Sequence, residues 1–502
     1  MGNKKIVLIG FHNEKALGVR YLANALTKSG YEPHVVFFKR FNSEIPESAT
    51  EQEMTLLQEL IAKIDPLFIG MSVMSSLYTE TTDAVSAMIR AKFPNTPLVW
   101  GGVCATLNPE RSLRSCDIVL RGEGEKSIIL LAQALEAGED WHGIHGAAYL
   151  DENGAVVQND VGEIQADIDE YGYPIIGGPN MYFITDNKIV EGDPQLKAFS
   201  YELSASRGCP YQCTYCSAIN LRRVYDGKQG SYVRFRSVDS VMAELLEAKA
   251  KIPRLRVIHF WDEIFSTKEG WMEEFARRYK AEIGIPFRIW GHPLMAGEKM
   301  YSLLVDAGLH QTVMGIQSGS PSVRKDIFHR YETQEQILEA SRTLHKCKVP
   351  VVYYDLMICH PFESIDQLKE TFDLCLQLTP PFKLNIHGLN FLPKTDIVQM
   401  AIDQGIYTAE ELDKLMYSSL QEQYDRHWGP HASSFKDASG KNSWTDLIFL
   451  TQFSEIKDQV IALSKDPEGN AEKIAALKAK MSKKQRFRNL MDKVKLVLKI
   501  GN

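Results

Sequence analysis

Twice along its length the chain alternates short apolar runs with longer amphipathic stretches, and that alternation leaves few folds open. Between residue 1 and about 140 the apolar runs are KIVLIGF, HVVFF, LFIGMSV, PLVWGG and DIVLRGEGE, separated by ALGVRYLANALTKSG and further helical patterns, one of them ending near Ile64. Short strands alternating with helices make βαβ units and predict a parallel, doubly wound sheet. From Phe199 a second series begins: YELSAS, RVIHFW, FRIWGH, QTVMGIQSG, VVYYDLMI and KLNIHGLNF, with helices such as SVDSVMAELLEAKAKI between them. Six such units predict an open, partial β/α barrel of the TIM type. Residues 141–197, rich in Gly, Pro and Asp, read as a linker with a hairpin at Asp151 to Gly154. After about Gln404 the pattern turns helical and charged. The expected division is therefore 1–140, 141–197, 198–404 and 405–502.

Bulk properties agree with two large α/β domains and an appendage. A chain of 502 residues is too long for one ordinary domain. With 44% hydrophobic and 24% charged residues it reads as globular rather than disordered. No segment approaches the ~18 uninterrupted apolar residues of a membrane span. The first apolar run is too short for a signal peptide, and Ile6 stands where a myristoylation signal needs Ser or Thr. A cytoplasmic location is the expectation, and in a reducing compartment the eight cysteines point to metal ligands or redox groups rather than disulfides. The net charge of −7, from 57 basic and 64 acidic residues, gives no reason to expect nucleic acid as a partner.

A doubly wound sheet binds its ligand at the carboxyl ends of its strands. There lie His12 and Asn13 after the first strand, Ser72, Ser75 and Ser76 after the third, Gly101 and Gly102 after the fourth, and Gly122, Glu123, Gly124 and Glu125 after the fifth. Each glycine has a plain reading as a tight turn, but their coincidence on one edge marks a candidate binding site. No G-x-G-x-x-G follows the first strand, so a dinucleotide site has little support.

The stretch SRGCPYQCTYCSA, leaving the first strand of the second series, sets Cys209, Cys213 and Cys216 three and then two residues apart. Three thiolates so spaced can hold three corners of a [4Fe-4S] cubane and leave the fourth iron open. The rival is zinc, but a closed structural zinc site needs four ligands. Cys104, Cys116, Cys347, Cys359 and Cys375 supply no second C-x-x-C.

The pattern C-x-x-x-C-x-aromatic-C, with Tyr215 before Cys216, resembles that of the radical S-adenosylmethionine (SAM) enzymes. FWDEIFS, GIQSGSPSVRKDIFHRYET, YYDLMICHPFES and NFLPKTDI resemble the barrel motifs of the branch that carries an N-terminal cobalamin-binding domain. That branch includes the anaerobic magnesium-protoporphyrin ester cyclases and many methylases. MSVMSSLYTE, VWGGVCATLNPE and VLRGEGE resemble its cobalamin-domain motifs, so the likeness spans roughly residues 4 to 405. It implies a Rossmann-like cobalamin-type domain, a radical SAM barrel, a small helical C-terminal region, and three cofactors: a [4Fe-4S] cluster, SAM and cobalamin. In that family SAM chelates the open iron through its amino and carboxylate groups, and its reductive cleavage yields a 5'-deoxyadenosyl radical. A cluster capped by thiolate at every iron could pass electrons but could not bind SAM.

The resemblance also implies residue roles. Tyr215 is expected beside the adenine, Gln317 and Ser318 at the ribose or methionine part, Arg330 at the carboxylate, and Asp355 at a polar atom of the bound cofactor. Plain alternatives stand beside these: Asp262 and Glu263 as loop caps, Arg330 as one half of a surface ion pair. His12, Asn13, Ser72, Ser75, Gly101, Gly102, Gly122, Glu123 and Gly124 become the expected cobalamin contacts. One departure matters. The first loop reads GFHNEKALG and does not match D-x-H-x-x-G. Either cobalamin is bound without a histidine below the cobalt, or the domain kept its fold and lost the ligand.

The expected reaction is methyl transfer to an unactivated carbon of a hydrophobic or small-molecule substrate, such as a lipid or pigment. One SAM would methylate cob(I)alamin and a second would supply the radical. The alternatives are radical oxidation, cyclisation or rearrangement without methyl transfer, and a binding module without turnover. An electron donor such as flavodoxin or ferredoxin is an expected partner. His292, Tyr354, His360 and His387 are barrel residues to which no role is assigned. From Ala471 to Asn502 ten Lys and Arg stand against Glu472 and Asp492, with Ile474, Leu477, Met481, Leu490, Val494 and Val497 near one helical face. Such a helix suits either a peripheral contact with an anionic membrane or packing of its apolar stripe on the barrel.

Overall fold

The computed structural model describes residues 2–40, 47–265, 268–427 and 441–498. Two parallel sheets dominate it. The first contains β1 (Lys5–Phe11), β2 (Glu32–Phe38), β3 (Phe68–Ser72), β4 (Leu98–Gly101), β5 (Ile118–Leu120), β6 (Ala147–Leu150), β7 (Val156–Gln158), β8 (Met181–Thr185) and β9 (Lys188–Glu191). Their spatial order is β7-β6-β5-β4-β3-β1-β2-β8-β9. The strands from β5 to β8 in that order run parallel, and the winding reverses between β1 and β3. A crevice opens at such a reversal, which fixes where a ligand of this domain sits.

Residues 141–197 correct the expectation of a linker. They extend the first sheet at both edges, β6 and β7 beyond β5, and β8 and β9 beyond β2. The turn from Asp151 to Gly154 does join β6 and β7 as an antiparallel hairpin. These strands carry little apolar signal because they are edge elements: every residue of β9 and two of the three in β7 are exposed.

The second sheet has β10 (Ser200–Leu203), then β13 (Val257–Phe260), β14 (Phe287–Gly291), β15 (Leu309–Gln317), β16 (Val351–Met357) and β17 (Lys383–His387), in that order and all parallel. β10 and β17 are not paired, so the barrel is open. A two-residue ladder of β11 (Ser206–Arg207) against β12 (Arg234–Phe235) braces the loop that follows β10. Between strands lie capped helices. Thr333 with Gln336 and Ser364 with Gln367 form reciprocal capping boxes at the starts of helices Gln334–Lys346 and Ile365–Gln377. Each box satisfies N–H groups that a helix start leaves open.

The C-terminal helices are not a separate body. Trp444, Leu447, Phe453, Val460, Ile474, Leu477 and Met481 belong to the same apolar core as the outward faces of the barrel strands. Residues 408–427 bridge the two sheets: Leu420 packs on Leu77 and Tyr78, and the Gln423 amide donates to the Ser76 carbonyl at 3.2 Å. Each large apolar side chain so buried contributes about 1.5–3 kcal/mol. No described helix is long and apolar enough to cross a membrane.

Candidate active site

The crevice at the β1/β3 reversal is real and deep. A cavity of about 360 Å³ is floored by Ser72, Gly101, Gly102, Gly122, Glu123 and Gly124 and roofed by Ser206, Arg207, Gly208, Tyr225 and Trp261 of the barrel domain. It continues inward over Leu8, Gly70 and Val99, beside helices Leu17–Lys28 and Gly124–Ala137. Glycine is required at two points of the floor. Gly102 has φ of 93° and a Cβ there would stand 2.9 Å from the Val73 carbonyl; Gly122 has φ of 78° and a Cβ would stand 2.6 Å from the Tyr225 hydroxyl. Such a floor lets a broad, flat ligand approach backbone directly.

Three of the expected contacts lie elsewhere. His12 takes a left-handed backbone (φ 48°), bonds Thr81 Oγ1 through Nε2 at 3.0 Å and stacks on Tyr78 at 4.9 Å. Burial lowers its pKa to about 4, with Lys39 adding to the effect, so the ring is neutral. Asn13 accepts from the Lys15 N–H, and Ser75 caps the short helix Ser76–Tyr78. Among the described residues no histidine lines the cavity. These residues therefore fit a cobalamin held without an imidazole from this loop.

Glu123 is spent on the domain interface. It pairs with Arg234 at 2.7 Å and Arg207 at 3.2 Å, accepts from the Tyr171 hydroxyl at 3.0 Å, and its backbone N–H donates to Tyr225 Oη at 2.8 Å. Burial by itself raises its carboxyl, and the two guanidiniums more than reverse this, holding it below the usual range. Arg207 also pairs with Glu125. Because Arg207 precedes Gly208 and Cys209, the first domain grips the base of the cysteine loop.

On that loop Cys209, Cys213 and Cys216 are all partly accessible. Burial raises the Cys209 thiol to about 12, with Cys216 and Cys213 adding to the rise. Burial likewise raises Cys216, with Cys213 among the lesser causes. Among the described residues no three His, Cys, Asp or Glu are assembled for one metal ion, and the other five cysteines lie elsewhere. Three partly accessible thiols on one short loop are a donor set that fits a cubane. Asp262 is fully buried, accepts from the Ala205 N–H at 3.2 Å and from the Ser206 hydroxyl, and so anchors the turn before the loop. Burial pushes its carboxyl up to about 7.

Tyr215 sits edge-on to Phe328 at 5.1 Å. Arg330 directs Nη1 toward Tyr215 Oη at 3.5 Å and Cys213 Sγ at 3.9 Å, while Nη2 donates to the Gly315 carbonyl at 2.6 Å and Nε to Glu332 at 2.7 Å. It is thus no surface ion pair. The second Glu332 oxygen is buried without a partner, 3.8 Å from His292 Nε2. Gln317 ends β15 with φ of 70° and folds its amide back over Gly315, where a Cβ would meet it at 2.7 Å. Asp355, on neighbouring β16, accepts from Asn385 at 2.7 Å, and burial raises it to about 6. Ser318 differs from expectation: it is fully buried, with its hydroxyl taken by the Ser320 N–H at 3.1 Å and Thr371 at 3.4 Å. Sequence reasoning missed Gly70, Arg207 and Arg234. Of these only Gly70 carries a local signal, a glycine inside a strand.

Comparison with known proteins places this geometry. Residues 203–375 match the radical SAM superfamily profile, and residues 12–132 match the B12 binding domain. An uncharacterized methyltransferase of Pyrococcus horikoshii is 27% identical, covering 72% of this chain and 73% of that protein. The anaerobic magnesium-protoporphyrin IX monomethyl ester cyclase of Rubrivivax gelatinosus is 23% identical, covering 72% of this chain and 62% of that protein. The fold is similar to the radical SAM methyltransferase TsrM of Kitasatospora setae, solved with cobalamin and a [4Fe-4S] cluster bound: TM-score 0.62, 17% identity, 80% of this chain and 75% of that one covered.

Proposed function

The chain is a cobalamin-dependent radical SAM enzyme, and from that premise we propose that it transfers a methyl group to an unactivated carbon of a small-molecule substrate. The observation that carries the proposal is a shared cavity: Arg207 and Gly208, at the foot of the cysteine loop, line the same space as Ser72, Gly101, Gly102, Gly122 and Gly124. Methyl donor and radical source would thus face one substrate. When bound, the cluster supplies the electron that cleaves SAM and cobalamin relays a methyl group.

The chain's own residues do the rest. Cys209, Cys213 and Cys216 hold the cluster. Tyr215 and Gln317 bound the SAM site, Arg330 offers Nη1 to its carboxylate through a charge-assisted bond, and Asp355 accepts from a polar atom. Ser318 supports the loop from behind. The Glu123–Arg207–Arg234 network fixes the two domains at one spacing, and closure around the cavity excludes water from a reactive radical.

The test is product analysis. With methyl-deuterated SAM and dithionite, standing in for a flavodoxin or ferredoxin, methyl transfer yields S-adenosylhomocysteine together with 5'-deoxyadenosine. Radical oxidation or cyclisation, the second reading that the cyclase relative favours, yields no S-adenosylhomocysteine, and a module without turnover yields neither.

The C-terminal helix Ala471–Leu498 meets the packing expectation for the basic tail along its first half. Its first half buries Ile474, Leu477 and Met481 on the barrel core. Its second half exposes Phe487, Leu490, Met491 and Val494 amid Lys483, Arg486 and neighbouring basic residues; the side chain of Val497 lies outside the described residues. This outer half is proposed to rest on an anionic membrane surface, where apolar contact and charge act together.

A further inference from the structure

The lumen of the open barrel contains a charge that no described residue pairs with. Strand alternation decides what faces inward. Ile258 and Phe260, Phe287 and Ile289, Val352 and Tyr354 lie in the apolar core beneath the helices, so His259, Arg288 and Tyr353 project from the opposite face. His259 and Arg288 are direct register partners on β13 and β14. The other inward charges have partners: Lys15 meets Glu202 at 2.5 Å, Lys383 meets Asp492 at 2.8 Å, and Asp355 is held by Asn385. Among the described residues no hydrogen bond or ion pair reaches the Arg288 guanidinium, and both its Nε and His259 Nε2 are enclosed without a partner. Burial lowers the pKa of each, His259 to about 3. Two residues further along, Trp261 just past the end of β13 and Trp290 on β14 stand 5.6 Å apart, and Trp261 lines the cavity.

Arg288 is partly buried, with only its Nε enclosed, so its outer nitrogens remain open to a ligand, and a charge drawn partly out of water is more stable with a partner than without one. A guanidinium fork fits carboxylate or phosphate oxygens. Resting on the reading of this barrel as the substrate chamber of a radical SAM enzyme, we infer that the substrate presents an anionic group, a carboxylate or a phosphate, to Arg288, with its apolar part against Trp261 and Trp290. The inference narrows the substrate class: a wholly apolar pigment or lipid tail leaves Arg288 unmatched, whereas an anionic small molecule completes it.

The test needs no turnover, so it stands or falls separately from the product analysis. The anaerobic holoenzyme, saturated with SAM to fill its carboxylate site and without reductant, is titrated calorimetrically with inorganic phosphate and, separately, with benzoate. Saturable binding of at least one is expected, and which one binds distinguishes the two anion sources. Arg288→Met should weaken that binding about tenfold or more and raise the thermal midpoint of the ligand-free protein, because the unmatched charge is gone. Arg288→Lys, keeping charge without the fork, should fall between. Absence of saturable binding by both anions, equal binding by Arg288→Met, or a lowered midpoint that marks Arg288 as structural would each overturn the inference.

Discussion

Glu123 shows how one side chain couples two domains. Its carboxylate meets two guanidiniums that lie 84 and 111 residues further along the chain, at Arg207 and Arg234. Glu123→Gln keeps the shape and removes the charge, leaving both arginines partly unmatched, and should cost about 3–5 kcal/mol in denaturant unfolding. Asp355 should respond in the opposite sense. Its folded pKa, about 6, lies above the ordinary 3.8. The unfolded chain therefore ionises first, and the stability Asp355 contributes is present below pH 4 and lost as pH rises through 6. Asp355→Asn should gain up to ~3 kcal/mol relative to the parent at pH 7.5 and nothing at pH 4, read from unfolding curves at both pH values. Interactions like these are invisible in sequence because their partners are remote. The cysteine loop was legible because its three thiols are local. His12 was legible as a strand-end residue but not as one turned onto Tyr78 and Thr81, since the direction of its ring depends on a φ of 48°.

Strands within the βα repeats announced themselves, and those added at the edges of the first sheet did not. β1, β3, β14 and β16 are apolar or alternating runs whose limits match their reading from sequence within a residue or two. β6 to β9 lie at the sheet edges among Gly, Pro and Asp, and so read as linker. Gly319 illustrates a packing constraint of the same kind: a Cβ would lie 2.3 Å from Thr371 Cα on helix Ile365–Gln377. Gly319→Ala should push that helix away and destabilise by several kcal/mol, measurable as a lowered denaturation midpoint. The C-terminal helix divides along its length. Ile474→Ala should cost about 2–5 kcal/mol through a core cavity without altering lipid binding. Phe487→Ser with Leu490→Ser should leave folding intact and reduce sedimentation with phosphatidylserine vesicles several-fold. Equal sedimentation of that double variant would remove the membrane proposal.

As a whole, the molecule sets a doubly wound sheet against an open barrel, with a cavity of about 360 Å³ lined by both. Both halves were legible as α/β repeats. Their mutual placement was not, because it rests on Glu123, Arg207, Arg234 and Tyr225 rather than on any periodic pattern. The account depends on the barrel leaving one iron of its cluster free for SAM. Electron paramagnetic resonance of the reduced, anaerobically purified protein, recorded before and after adding SAM, tests this directly. A [4Fe-4S] signal that shifts on SAM addition, and is lost in Cys213→Ala, is predicted. A mononuclear zinc centre with no such signal, or a cubane indifferent to SAM, would contradict it.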